Sequence, residues 1–223
     1  GGYTAGEMKE TKFSVTALRC AGYTAASLAS AGYSLDALKD GGFDAKALLG
    51  AGFSPEELLK MGVSCTDLAK AGADLQILQK NGCSASELMK AGISAKALRD
   101  AGFSDEQIAA AGYPASELLG MGIPLSALKA AGYSADQLRQ AGVSAADLKS
   151  AGFSASELKN AGFSAGDLVR AGFDPSDVGY DKEIGALREK LRGGADIKDL
   201  LKSGVNPADL RAAGATASDL KEA

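Results

Sequence analysis

Apolar and polar residues recur along this chain with a period of ten. Eighteen blocks run in phase over residues 1–180, each reading Ala, Gly, an aromatic or aliphatic residue, Ser, three variable residues, Leu and two mostly polar positions. Leu holds the eighth position except at Met8, Ile108 and Val178, and Gly holds the second except at Lys12. One small unit repeated in this way is typical of a solenoid, in which each unit packs on its neighbours.

The polar positions predict a short α-helix in every block. Position four is Ser, Thr or Asp in all but two of the eighteen blocks, and these side chains accept hydrogen bonds from the free N–H groups of a helix first turn. Position seven is often acidic or Gln, which completes a capping box. Gly at position two predicts the left-handed residue that ends the helix. The pairs that fit a capping box or its acidic variant include Ser54 with Glu57, Ser84 with Glu87, Ser144 with Asp147 and Ser154 with Glu157.

The apolar positions predict how each helix packs. The residue before the cap and the Leu at position eight form a hydrophobic staple, as in Phe153 with Leu158, and Ala155, Leu158 and Ala161 share one helix face. Helices this short are unstable alone, so the blocks must stack. The first helical position holds Pro55, Pro175 and Pro207, where proline is well tolerated.

Charged residues fit the same helices. Acidic residues favour position seven and basic residues positions nine and ten, which matches the helix dipole. The spacing also predicts pairs three residues apart, Glu57 with Lys60 and Glu87 with Lys90. The charges thus have a local structural explanation.

A pentapeptide-type right-handed β-helix is the alternative fold, because the aromatic at position three and the Leu at position eight are five residues apart. In that fold position six points into a narrow core. Burying unpaired charges there would cost several kcal/mol each. The pattern therefore favours an all-α solenoid of short single-helix ten-residue repeats. The residues at position six include Lys46, Glu56, Gln76, Lys96, Glu106 and Asp136.

The ten-residue rhythm breaks once. After Gly172 the next glycine in the same role is Gly194, twenty-two residues on, and the spacing of ten then resumes. The intervening residues predict a longer helix with one apolar face. The predicted division is eighteen in-phase repeats over 1–180, an irregular helix or junction over 181–193, and further out-of-phase repeats over 194–223.

Composition points away from catalysis. The chain has no His, which excludes a His base and zinc-type ligand spacing, and its serines are explained as helix caps. The net charge is −4 without a basic stripe, so nucleic acid is not an expected partner. No apolar run is long enough to span a membrane. We therefore expect no enzyme activity, no catalytic, cofactor-binding or metal residues, no cofactor and no small-molecule substrate; partner-binding residues stay unassigned.

The chain has three cysteines, Cys20, Cys65 and Cys83. They occupy the tenth, fifth and third positions of their blocks, with no CxxC motif. We interpret Cys65 and Cys83 as replacements for small or apolar packing residues and Cys20 as a replacement for a variable polar residue. Three cysteines used in this way do not indicate a redox compartment.

The tandem decapeptides AGYSAxxLKxAGFSAxELK, seen from Ala21 to Asp40 and from Ala131 to Arg170, resemble the central repeat region of DotG/IcmE. Proteins of that family are inner-to-outer-membrane components of the Dot/Icm type IVB secretion system of intracellular bacterial pathogens. In the family a membrane helix precedes the repeats and a channel-forming domain follows them. Neither is visible in these residues, so the family's channel function is assigned to no residue here.

The resemblance implies a periplasmic, multi-copy structural segment of a cell-envelope channel, with other secretion-system subunits and copies of itself as partners. The residues alone support the coarser hypothesis of a non-enzymatic scaffold or spacer. The alternative is a general protein-binding solenoid, such as an effector or a surface stalk.

Overall fold

The computed structural model describes residues 3–11 and 13–223. Gly1, Gly2 and the exceptional Lys12, which belong to the predicted array, lie outside these residues. The chain divides into two compact units, Gly1–Met121 and Gly122–Ala223. Over the described ranges the backbone forms helices and turns and no strand, so the fold is an all-α solenoid and the β-helix alternative is excluded there.

The first unit contains twelve described helices, most of them six residues long. They are α1 (Ala5–Lys9), α2 (Val15–Cys20), α3 (Ala25–Ser30), α4 (Leu35–Asp40), α5 (Ala45–Gly50), α6 (Pro55–Lys60), α7 (Cys65–Lys70), α8 (Leu75–Lys80), α9 (Ala85–Lys90), α10 (Ala95–Asp100), α11 (Asp105–Ala111) and α12 (Ala115–Gly120).

The second unit contains ten helices, nine of them short and one longer. They are α13 (Leu125–Ala130), α14 (Ala135–Gln140), α15 (Ala145–Ser150), α16 (Ala155–Asn160), α17 (Ala165–Arg170), α18 (Pro175–Val178), α19 (Tyr180–Arg192), α20 (Ile197–Lys202), α21 (Pro207–Ala213) and α22 (Ala217–Glu222).

Side-chain caps begin most of these helices, as the sequence predicts. In α6 the hydroxyl of Ser54 accepts from the N–H of Glu57, and the Glu57 carboxylate accepts from the Ser54 N–H at 2.8 Å. The boxes at Ser84 and Ser154 are formed in the same way. At Ser144 the structure forms only half of the predicted box: the hydroxyl accepts from the Asp147 N–H, and the Asp147 carboxylate accepts from that hydroxyl.

A left-handed glycine ends the regular helices. At the end of α2, Gly22 has φ of 94° and its N–H donates to Arg19, while the Tyr23 N–H donates to the Leu18 carbonyl, both at 3.0 Å. This is the Schellman arrangement, which satisfies the last carbonyls of the helix. Position-two glycines from Gly22 to Gly172 have φ between 76° and 95°, a conformation that only glycine adopts without strain.

Alternate helices pack on each other within each unit. In the first unit α1 packs on α3, α3 on α5, and so on through α7 and α9 to α11, and α2 packs on α4 in the same way. We call α1, α3, α5, α7, α9 and α11 the odd row and α2, α4, α6, α8 and α10 the even row. In the second unit α14 packs on α16 and α15 on α17. The stacking period is therefore two blocks, or twenty residues.

The residue at position eight forms the core of this stack. From Leu18 to Leu168 it is at most 1% exposed in every block. Where position six is charged or Gln, it lies outside the core: Lys46, Gln76, Lys96 and Glu106 are exposed, and Glu56 and Asp136 are partly exposed. The burial pattern agrees with the helical assignment and gives no narrow core around position six.

The end of the second unit departs from the ten-residue pattern. Helix α19 has thirteen residues and lies where the sequence predicts a longer irregular helix. It packs on α17 and on α21. Ile184 and Leu187 of α19 and Leu210 and Ala213 of α21 form a separate small core. The division predicted at 181 and 194 concerns the repeat pattern and stays a prediction. The boundary between the two compact units falls at a different place, after Met121.

Candidate functional site

The stacking surface between alternate helices carries a polar contact that recurs along the array. Lys149, at position nine of α15, donates to the Gly172 carbonyl at the end of α17 (2.5 Å). Its ammonium group also lies 4.7 Å from the centre of the Phe173 ring. A cation at this place satisfies a free helix-end carbonyl, complements the helix dipole and contacts an aromatic face. We call this the cross-turn contact.

Equivalent donors lie at position nine of other blocks, and each reaches a carbonyl 19 to 23 residues further on. The pairs are Lys9 with Gly32, Arg19 with Gly41, Lys39 with Met61, Gln79 with Gly102, Arg99 with Met121, Lys129 with Gly152 and Lys159 with Val178. Together with Lys149 and Gly172 these are eight contacts. In seven of them the donor and the carbonyl are 22 or 23 residues apart, which reflects the two-block stacking period.

The predicted role of the basic residues, stabilising their own helix, is therefore incomplete. Position-nine cations cap the helix two places along. The predicted pairs of Glu57 with Lys60 and Glu87 with Lys90 are not ion pairs within 4.0 Å in the described structure. Both carboxylates instead accept from the serine of their capping box.

The odd row of the first unit lacks this contact over most of its length. Position nine is apolar in five consecutive members of the row: Ala29, Leu49, Ala69, Met89 and Ala109. Between α7 and α9 a disulfide joins Cys65 to Cys83 instead, with the two Cα atoms 5.6 Å apart. A covalent bond thus links two stacked helices where no position-nine cation does.

This disulfide corrects the interpretation of Cys65 and Cys83 as simple packing residues. Cys65 is the first residue of α7, Cys83 precedes the cap of α9, and Cys83 is 3% exposed. Position five of one block lies beside position three of the block two further on, a neighbourhood that depends on the stacking period. Cys20 is a free, exposed thiol, in keeping with its assignment to a variable polar position.

A buried carboxylate joins α17 to α21 in the second unit. The Asp209 side chain is 3% exposed and accepts from the Arg170 guanidinium at 2.9 and 3.3 Å. The Tyr180 hydroxyl lies 3.4 Å from the same carboxylate and donates to it. Gly166 leaves the necessary room, because a Cβ there would lie 2.3 Å from the Asp209 carboxylate oxygens.

Asp167 extends this cluster towards solvent. Arg170 donates to its carboxylate at 2.8 Å, and so does the Ser164 hydroxyl at 2.9 Å. Burial raises the pKa of Asp167, but the hydrogen bonds from Arg170 and Ser164 outweigh it and hold the pKa below its ordinary value. The hydrogen bond to Asp209 raises the pKa of Arg170. Asp167 and Arg170 are therefore both charged at neutral pH.

Open grooves recur beside the stacked helices. One, of about 630 Å³, is lined by Lys39, Asp44, Lys46 and Asp67 among others. Another groove, of about 410 Å³, lies in the second unit. Its lining includes Lys129, Ser134, Asp136 and Glu157, which stand ninety positions after the four residues of the first groove. The same block positions thus line a groove in each unit.

Two kinds of site are absent from residues 3–11 and 13–223. No group of three or more His, Cys, Asp and Glu side chains there is placed to hold a metal ion. No helix in these ranges combines the length and apolar character needed to cross a bilayer.

Short capped helices that stack at a twenty-residue period define the class of the protein, a helical repeat solenoid. The chain belongs to the decapeptide repeat family: the model described as "Decapeptide repeat region" matches residues 2–75, 62–131 and 115–180. The match ends where the ten-residue rhythm breaks. No curated protein and no solved structure matches the chain significantly.

Removing one cross-turn contact should lower stability modestly. We expect Lys149→Met to reduce the free energy of unfolding by about 1 kcal/mol, because it removes a charged hydrogen bond and a cation–π contact at a partly exposed site. Urea denaturation followed by circular dichroism measures the change. Lys90→Met, at an exposed position ten without a cross-turn contact, is the control and should change stability by less than about 0.5 kcal/mol. Equal effects of the two changes would contradict the role of position nine.

Acidification should destabilise the array through its capping boxes. Hydrogen bonds from the serine N–H and hydroxyl groups lower the pKa of Glu57, Glu87 and Glu157. A carboxylate with a lowered folded-state pKa contributes stability above its unfolded pKa, about 4.3, and loses it as pH falls through the folded value. The melting temperature should therefore stay level from neutral pH to about pH 5 and fall below about pH 4.3.

The matched variant replaces all three glutamates by Gln, which forms the same box at Gln107 and Gln137 but does not titrate. Its melting temperature should fall less on acidification than that of the natural chain. Identical pH profiles would mean that the boxes do not carry the effect.

Proposed function

We propose that this chain is a non-enzymatic scaffold or spacer segment of a bacterial cell-envelope secretion channel of the Dot/Icm type. Its partners are other secretion-system subunits and copies of itself, and its location is the periplasm. The resemblance of the blocks to the DotG/IcmE repeat region and membership of the decapeptide repeat family support the proposal.

The observation that carries the scaffold role is the two-block stacking of near-identical helices. Within each unit helices pack on a helix two places along, as α3 does on α5 and α15 on α17, so each further block extends the array. Solenoids built in this way are extended by adding units. The sequence of an individual block then matters less than the number of blocks.

The disulfide supports a location outside the cytoplasm. Disulfides form and persist in oxidising compartments such as the periplasm and are rare in the bacterial cytosol. The Cys65–Cys83 bond therefore favours the periplasm, which the resemblance also implies.

Thiol trapping in cells tests the location. A mass-tagged maleimide is added to denatured extracts of bacteria that produce the protein, with and without prior reduction. We expect one tag, on Cys20, before reduction and three after it. Three tags before reduction would contradict a periplasmic location, and a Cys20→Ser chain calibrates the single-tag band.

A length test addresses the spacer role. In one variant residues 135–154 are deleted; in the control they are replaced by a second copy of residues 145–164, which keeps the length and changes the sequence. A spacer predicts that the replacement preserves secretion of substrate proteins and the deletion impairs it. Loss of secretion in the replacement variant, with normal folding, would contradict the spacer role.

A general protein-binding solenoid is the second candidate, favoured by the grooves that recur at equivalent positions. A binding surface depends on the identity of the residues in the grooves. The replacement of residues 135–154 would then abolish function while keeping the length, which separates the two candidates.

A further inference from the structure

The groove between α5 and α7 in the first unit, of about 630 Å³, is lined by three lysines, Lys39, Lys46 and Lys70. We call it the basic groove. Lys39 is engaged, because it donates to the Met61 carbonyl as a cross-turn contact. Lys46 and Lys70 are exposed, and in the described part of the chain neither ammonium group donates a hydrogen bond or forms an ion pair. Two cations of one groove are therefore without a partner there.

The carboxylates of the basic groove are held by their own helices. Asp44 caps α5 and accepts from the Ala47 N–H at 2.8 Å. Asp67 lies in the first turn of α7 and accepts from the Ser64 hydroxyl at 2.7 Å. Neither carboxylate forms an ion pair with a lysine of the groove in the described structure. The two ammonium groups thus have no counter-ion inside the groove.

Helix α17 provides a counterpart in which the cation is bound. Its groove, of about 350 Å³, has seven lining residues, and each stands one hundred positions after a residue of the basic groove. Arg170 holds the place of Lys70, and both helices begin at a serine cap with an aspartate at position seven. Asp209, brought by another helix, accepts from Arg170 at 2.9 and 3.3 Å. A carboxylate is therefore what the cation at this block position binds within the chain.

We propose that the basic groove binds an acidic segment of a partner protein, with carboxylates of that segment on Lys46 and Lys70. Opposite charge supplies the attraction, and hydrogen bonds between ammonium and carboxylate groups supply the contact. The observations favour a protein over a nucleic acid, because the precedent is a carboxylate and the chain carries a net charge of −4 without a basic stripe. The inference goes beyond the scaffold role and stands whether or not the chain belongs to a secretion channel.

One difference between the two helices sets the depth at which the segment binds. Gly166 of α17 leaves room for the Asp209 carboxylate, since a Cβ there would lie 2.3 Å from its oxygens. In α7 the same position is Thr66. A carboxylate on Lys70 therefore lies farther from the helix than Asp209 does, towards solvent. Ion pairs at such exposed positions are weak, so we expect modest affinity and a strong dependence on salt.

The second unit offers a matched control in the same chain. Its groove of about 410 Å³ has Asp136 and Asn160 at the places of Lys46 and Lys70, ninety positions later. The two grooves use the same block positions and differ in charge. The acidic segment should therefore bind the basic groove and not its counterpart, and the residues of the two can be exchanged without introducing a residue foreign to the array.

Fluorescence polarisation with the purified chain tests the proposal. The probe is a short fluorescein-labelled peptide that alternates Glu and Ala, and a peptide with Gln in place of Glu is its neutral control. At about 50 mM salt the natural chain should bind the Glu peptide with a Kd of about 100 µM, and the Gln peptide about tenfold more weakly. The exchange variant, Lys46→Asp with Lys70→Asn, should weaken binding of the Glu peptide about tenfold.

The reciprocal exchange separates the groove from the overall charge. Adding Asp136→Lys and Asn160→Lys to the exchange variant should restore the affinity to within about threefold of that of the natural chain. A chain with Lys190→Asn and Lys198→Asp, which changes the net charge as much as the exchange variant does, should bind like the natural chain. Circular dichroism spectra identical to that of the natural chain establish that the variants are folded.

Five results would each overturn the proposal. They are no binding of the Glu peptide up to about 1 mM, equal binding of the Gln peptide, an exchange variant that binds like the natural chain, a reciprocal exchange that restores nothing, and tighter binding of a thymidine oligonucleotide than of the Glu peptide. The last result would assign the groove to nucleic acid. None of them bears on the spacer role, which is tested by array length in cells.

Discussion

Replacing Arg170 by Met should lower the free energy of unfolding of the second unit by about 3 kcal/mol. The change leaves the Asp209 carboxylate, 3% exposed, without its cation. Removal of one partner of a buried ion pair costs about 3 to 5 kcal/mol, because the remaining charge is unpaired. The lower figure applies here, since Arg170 is 38% exposed and water reaches the site more easily once the guanidinium is gone. Urea denaturation monitored by circular dichroism gives the change.

Two further variants separate the charge from the packing. Asp209→Asn in the Arg170→Met background removes the unpaired charge and should restore part of the lost stability. Gly166→Ala keeps both charges but places a Cβ where the carboxylate lies, so it should also destabilise. The account is contradicted if Arg170→Met lowers the free energy of unfolding by less than about 1 kcal/mol and Asp209→Asn in that background restores no stability. The ion pair would then not hold α21 to α17.

Loss of the Cys65–Cys83 disulfide should lower the free energy of unfolding of the first unit by about 3 kcal/mol. The bond closes a loop between residues 18 apart in sequence, and cross-links of that size restrict the unfolded chain by about this amount. It also lies in the part of the odd row where position nine is apolar, with Ala69 in α7. Cys65→Ser with Cys83→Ser, and separately the natural chain in reductant, should show the same loss in urea denaturation.

The free thiol supplies the control for this prediction. Cys20 is exposed and unbonded, so Cys20→Ser should leave stability within about 0.5 kcal/mol of the natural chain. Reductant should have no further effect on the variant that lacks Cys65 and Cys83. Equal stability of the oxidised and reduced natural chain would contradict the prediction.

Local structure was predictable because each block carries the start signal of its own helix and the stop signal of the helix before it. Ser54 with Glu57 marks a helix start, and Gly22 before Tyr23 marks a helix end, and both signals act within a few residues. Capping depends on such short-range hydrogen bonds. One block and the first three residues of the next therefore sufficed to place each helix.

The stacking period was not predicted, since it depends on contacts about twenty residues apart. Lys149 fits the dipole of its own helix as well as it fits the carbonyl of Gly172, and the sequence alone does not distinguish the two. Asp209 has the position of an ordinary capping residue. Its burial becomes evident only when Gly166 is seen to leave room for it.

Coupled departures from the repeat were the signal that could have revealed the period. Val15 is larger than the Ala that most blocks carry at position five, and Gly41 is smaller than the Ala that most blocks carry at position one. A Cβ on Gly41 would lie 2.4 Å from the Val15 side chain. Cys65 and Cys83 are a second coupled pair, and both pairs join helices two places apart. Packing at close density makes such compensation necessary.

Engineered cross-linking tests the two-block stacking most directly. Ala145→Cys with Phe163→Cys reproduces, eight blocks later, the positions of Cys65 and Cys83, in a chain whose three natural cysteines are replaced by Ser. Ala145→Cys with Phe153→Cys joins adjacent blocks instead. After mild oxidation, mass spectrometry should find a disulfide in the 145–163 pair and free thiols in the 145–153 pair. A disulfide in the 145–153 pair with free thiols in the 145–163 pair would contradict the account.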